Sequence, residues 1–119
     1  MNSVLTVDAS ASMRKLVSTM LNNAGFEVTA ANDGLQALDI AKETHFDLIL
    51  TDVNMPNMGG LDLCKKLRMI KNYELTPILM LSNDATHKNK SEANSVGATG
   101  WVGKPLNADQ LLQTIAHVL

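Results

Sequence analysis

Short apolar runs alternate with longer stretches of helical periodicity from one end of the sequence to the other, a pattern that confines the chain to the α/β class with a parallel sheet. The runs at 3–7, 27–31, 48–51, 77–81 and 100–103 are the strand candidates. Most are too apolar for strands with one wet face, so helices should cover both sides of the sheet. Between them, Met13, Leu16, Val17, Met20, Leu21 and Ala24 recur at the spacing of one helix face, with Ser10 or Ser12 as N-cap and Gly25 as stop. Asn32 or Asp33 can cap a second helix carrying Leu35, Leu38 and Ala41, and Gly59-Gly60 leads into a third carrying Leu61, Cys64 and Leu67. A final helix, capped by Asn107 after Lys104-Pro105, should turn Ala108, Leu111, Leu112, Ile115 and Leu119 inward. The stretch 86–96, THKNKSEANSV, offers a core only Ala93 and Val96 before Gly97. It reads equally as an element at the low-stability end of the fold, where moving and partner-binding elements are found, or as a merely solvated surface helix.

Composition narrows the function classes. A chain of 119 residues, 45% hydrophobic, fits one domain over 1–119 whose core needs neither metal nor disulfide. The single cysteine, Cys64, excludes an internal disulfide, and His45, His87 and His117 are too scattered for a metal-ligand set. Ten basic against twelve acidic residues, without a basic run, argue against nucleic acid as a partner. No apolar stretch approaches the roughly 20 residues of a membrane span, and the N-terminus lacks the charged region of a signal peptide, so a cytoplasmic location is expected. The GxxxxGK[ST] loop, the GxGxxG turn and a flavin-phosphate loop are all missing, which removes nucleotide and flavin roles.

In open parallel sheets, ligands bind beyond the carboxyl ends of the strands, where the order of connection reverses. The first strand leads into Asp8-Ala9-Ser10, the third into Asp52-Val53-Asn54-Met55-Pro56, the fourth into Ser82-Asn83-Asp84 and the fifth into Lys104-Pro105, whereas the second ends in the bland Ala31-Asn32. With the second strand at an edge, two carboxylates, a hydroxyl and an amine share one mouth. An aspartate is ionised near neutrality and can attack without a general base. Hard oxygen donors for Mg²⁺, a lysine and a hydroxyl would neutralise the oxygens of a phosphoryl group. Ser10, Ser82 and Asn83 could equally be caps or turn formers, but Asp52 closing an apolar run is costly unless paired or held in a cleft. The remaining carboxylates, Asp33, Asp39, Asp47, Asp62 and Asp109, read as helix caps or exposed faces.

VDASASMRKLV after the first strand, Ala31-Asn32-Asp33-Gly34, DLILTDVNMPNMGG around Asp52, PILMLSNDA around Ser82 and GATGWVGKPL around Lys104 span nearly the whole chain. Together they resemble the receiver domain of two-component response regulators, of the single-domain chemotaxis CheY type. The resemblance implies a doubly wound, flavodoxin-like sheet in order 2-1-3-4-5 with five helices. It makes Asp52 the acceptor of a phosphoryl group from a histidine kinase or its phosphotransfer domain. It makes Asp8, Asp52 and the Asn54 backbone carbonyl the Mg²⁺ site, Ser82 and Lys104 the groups that meet the phosphoryl oxygens, and Ser82 with Trp101 the switch. A downstream protein would dock on the face of helix 4, strand 5 and helix 5, with chemotaxis the process suggested and no separate enzymatic activity expected. The chain departs from the family at Ala9, where receivers carry a second acid that binds the metal directly, so weak Mg²⁺ binding is expected. A receiver that binds partners without phosphorylation is the alternative, and a hydrolase using Asp52 ranks last for want of a second acid or base.

Overall fold

Each of the five apolar runs becomes a strand, and all four strand pairings are parallel. The computed structural model describes residues 2–83 and 87–119, of which 87–89 by their backbone only. In chain order the elements are β1 (Ser3–Val7), α1 (Ala11–Asn23), β2 (Glu27–Ala31), α2 (Gly34–Glu43), β3 (Leu48–Asp52), α3 (Gly60–Arg68), a 3-10 turn (Lys71–Tyr73), β4 (Ile78–Ser82), α4 (His87–Ser95), β5 (Gly100–Gly103) and α5 (Ala108–Val118). The sheet runs β2-β1-β3-β4-β5. The order reverses between β1 and β3, as the resemblance implies.

Successive side chains of a strand point to opposite faces, and the two cores follow that alternation. Leu5, Val7, Ile49, Ile78 and Met80 pack on one side against Ala37, Ala41, Leu63, Cys64 and Leu67 of α2 and α3 and Ala93 of α4. Val4, Leu48, Leu50, Leu79, Leu81 and Val102 pack on the other against Val17 and Leu21 of α1 and Leu111 and Ile115 of α5. Among the proposed caps, Ser10 accepts from the Met13 amide, Asp33 from Gln36 and Asn107 from Gln110.

Several expectations shift. β3 extends through Asp52, which pairs with Leu81. β4 begins at Ile78 because Pro77 has no N–H to donate, and ends at Ser82, which pairs with Gly103. β2 is not covered on both sides: only Ala31 is buried, since an edge strand has one neighbour and reaches past the helix layers. Leu16, Leu35 and Leu119 are 42%, 47% and 48% exposed, and Ala24 is exposed as well, because each lies at a helix end or on the rim of its apolar stripe. The 3-10 turn was not foreseen. It buries Tyr73, whose hydroxyl lies 2.7 Å from the Ala41 carbonyl and 3.0 Å from that of Thr44, and accepts from the Phe46 amide at 3.3 Å. Of the stretch 86–96, Thr86 falls outside the described residues, and Ala93 is buried while Val96 is half-buried.

Candidate functional site

The carboxyl ends of β1, β3, β4 and β5 meet at one edge of the sheet. Asp8 follows β1 and is 3% exposed, with its amide on the Ala31 carbonyl at 3.1 Å. Its Oδ1 accepts from the Ser10 amide at 2.9 Å and its Oδ2 from Lys104 Nζ at 3.1 Å. Lys104 is carried there by β5, and its amide donates to the Ser82 carbonyl at 2.8 Å. The same ammonium lies 3.5 Å from Asp52 Oδ1. One lysine thus spans both carboxylates, its long side chain reaching past β4 from the far end of the sheet.

Asp52 ends β3 half-buried. Its Oδ1 also accepts from the Val53 amide at 2.9 Å, and its carbonyl accepts from Thr51 Oγ1 at 2.9 Å. Gly60 packs so closely under that carbonyl that a Cβ would collide with it, and the Gly60 amide donates to the Val53 carbonyl at 2.9 Å. Burial pushes the Asp52 carboxyl up from its ordinary value; Lys104 opposes the rise and the Asp8 charge adds to it.

Ser82 is 2% exposed and stands one residue past Leu81, the strand partner of Asp52. Asn54 is exposed, two residues beyond Asp52 in the β3–α3 loop. Trp101 is half-buried on β5 opposite Met80, and its Nε1 is buried without a hydrogen-bond partner among the described residues. With Lys90, Ala93 and Asn94 of α4 it lines a cavity of about 190 Å³ between α4 and β5. Asp84 lies outside the described residues.

Two features escaped the sequence. Arg14 donates from Nη1 to the Asp8 carbonyl at 2.7 Å; its place on the first turn of α1, four residues after the cap, was the available signal. Asn57, in the left-handed region at φ 67°, donates to Asp33 Oδ2 at 2.8 Å. Nothing local in the sequence links these two.

The donor set suits a small hard cation. Mg²⁺ is held through one or two carboxylates with water and phosphate oxygens completing its shell, and Asp8 and Asp52 supply two carboxylates beside a lysine that limits their repulsion. Ala9, exposed at the same mouth, contributes no side-chain oxygen.

A family model described as the response regulator receiver domain matches residues 4–116. The chain is 37% identical over 116 residues to the chemotaxis protein CheY-3 of Vibrio cholerae, covering 97% of this chain and 89% of that protein. It superposes on the crystal structure of V. cholerae CheY4 with a TM-score of 0.97 at 48% identity, covering 100% of this chain and 99% of the other. The receiver domain of a Pseudomonas aeruginosa sensor histidine kinase, 24% identical with TM-score 0.91 over 98% of this chain and 95% of that one, carries a magnesium ion in its active-site cleft. The chain therefore belongs to the response regulator receiver family, the CheY-like phosphoacceptor modules of two-component signalling that act between histidine kinases and downstream targets.

Proposed function

We propose that Asp52 is the phosphoacceptor of this chain, and that residues 1–119 form one receiver unit working in the cytoplasm without an enzymatic activity on any separate substrate. The observation that carries the assignment is the Lys104 ammonium, 3.1 Å from Asp8 and 3.5 Å from Asp52 at the strand ends. An oxygen of the Asp52 carboxylate attacks the phosphorus of a phosphohistidine. The P–N bond breaks as the P–O bond forms, its electron pair stays on the ring nitrogen, and the ring leaves as neutral imidazole because its other nitrogen already carries a proton. Lys104, already placed by Asp8, meets the added negative charge, and the Ser82 hydroxyl offers a hydrogen bond to a phosphoryl oxygen. Asp8, Asp52 and the Asn54 carbonyl are the groups that would hold Mg²⁺, which when bound neutralises charge on the transferring group. With Ala9 in place of an acid, Mg²⁺ binds weakly.

Ser82 and Trp101 form the switch, and the downstream protein docks on the face of α4, β5 and α5. The cavity beside Trp101 supports this reading, since it leaves the indole room to move against a helix whose described side chains bury only Ala93. Incubation with a small acyl phosphate and Mg²⁺, followed by intact-mass measurement, tests the assignment. The parent should gain one phosphoryl group and Asp52→Asn none. Equal labelling of both proteins refutes the choice of Asp52, and an unlabelled parent points to a module that binds without phosphorylation.

A further inference from the structure

We propose that Asp33 and Asn57 form a clamp that positions the β3–α3 loop, and with it the Asn54 carbonyl, beside Asp52. Asp33 caps α2 with one oxygen, Oδ1, which accepts from the Gln36 amide at 2.8 Å. A cap needs no more than that. The second oxygen, Oδ2, reaches 24 residues along the chain to the Asn57 side chain at 2.8 Å. Asn57 holds the left-handed conformation, which asparagine tolerates better than any residue but glycine. Beside this contact the Gly34 amide donates to the Met58 carbonyl at 3.0 Å, and a Cβ on Gly34 would fall 2.6 Å from that oxygen. At the other end of the loop, the Gly60 amide holds the Val53 carbonyl at 2.9 Å. The loop leaving Asp52 is thus tied to the start of α2 and closed on itself.

The clamp matters more here because of Ala9. A third carboxylate would carry its own charge to the metal wherever the loop lay. Without one, the proposed donors are Asp8, Asp52 and a single backbone carbonyl, and a backbone carbonyl is only as well placed as the loop that bears it. Asp33 and Asn57 are positioning residues: they act through the loop. The inference rests on the proposed assignment of Asp52, Asp8 and Asn54.

Two variants separate the clamp from the cap. Asn57→Gly keeps the left-handed backbone accessible and leaves the α2 cap untouched. Asp33→Ser keeps a capping hydroxyl, whose one oxygen is too short to serve Asn57 as well. Each is titrated with Mg²⁺ alone, read as the rise in melting temperature, and then labelled with a small acyl phosphate at several Mg²⁺ concentrations. Both should keep the metal-free fold and raise the Mg²⁺ Kd by about tenfold, the lower end for loss of an outer partner of a metal ligand. Labelling should slow by the same factor at low Mg²⁺ and recover at saturation, which a merely structural defect would not do. Parent-like Mg²⁺ affinity and labelling in Asn57→Gly overturn the clamp while leaving Asp52 as acceptor. Labelling lost at every Mg²⁺ concentration also overturns it, because the loop would then be serving the acceptor rather than the metal. Should the glycine variant fail to fold, the serine variant decides by the same readings. If Asp52→Asn labels as well as the parent, the reading of the site falls, and the clamp with it.

Discussion

Asp52 holds its proton more tightly in the folded protein than in the unfolded chain, since burial and the Asp8 charge outweigh the pull of Lys104. A carboxyl raised in this way lowers stability as pH climbs from the ordinary aspartate value of about 3.9 through its folded value, and the loss is complete above that. At neutral pH the ionised Asp52 therefore works against the fold that presents it. Asp52→Asn should melt at a higher temperature than the parent at pH 7, with Lys104 still paired to Asp8 at 3.1 Å. The gap should shrink as pH falls and close below about 3, where Asp52 is protonated in both states. Melting curves across that range check the sign, and a variant less stable than the parent at pH 7 would show that Lys104 dominates the carboxylate.

The elements differ widely in how firmly they are held. Tyr73 ties the end of α2 to the turn after α3, with two carbonyls and an amide around one hydroxyl. Tyr73→Phe leaves the buried Ala41 carbonyl and Phe46 amide short of a partner and should lower the unfolding free energy by about 1–3 kcal/mol, measured by urea denaturation, without altering labelling of Asp52. α4 is the opposite case. Its C-terminal end is held from α3, by Cys64 Sγ on the Val96 carbonyl at 3.4 Å and by Arg68, which donates to the Gly97 carbonyl at 3.0 Å and to the carbonyls of Tyr73 and Thr76 at 2.6 and 2.7 Å. Its one buried residue among the described side chains is Ala93. Amide exchange should be faster in α4 than in α1 or α5, faster still in Arg68→Ala, and altered together with Trp101 fluorescence when a beryllium fluoride mimic occupies the parent. Uniform exchange across the three helices would contradict this ranking.

For the molecule as a whole, metal and fold are linked through the mouth of the sheet. A ligand adds RT ln(1 + [L]/Kd) to stability, about 2.7 kcal/mol at a hundredfold excess over Kd and little below Kd. With Ala9 at the site, millimolar Mg²⁺ should raise the melting temperature only slightly. Ala9→Asp should lower the stability of the metal-free protein by crowding a third carboxylate against Asp8 and Asp52, and should enlarge the Mg²⁺ response. A melting titration of both proteins measures the two effects, and an equal Mg²⁺ response would mean that Asp8 or a bound water replaces the missing oxygen. By itself the sequence determined the α/β class and the polar groups that follow each strand, because the alternation of apolar runs and helical stretches is local and survives without neighbours. It also marked Asp52 and Lys104, since a charge closing a buried strand is costly anywhere but a cleft. The tertiary structure decided what local periodicity does not carry: that β2 is exposed, that Leu35 and Leu119 face solvent, and that Tyr73 is buried. It also decided that Arg14 grips the Asp8 carbonyl and that Asp33 reaches Asn57. Periodicity reports that a face is buried, whereas the partner filling that face, or the loop meeting a cap from 24 residues away, depends on how the strands are ordered in space.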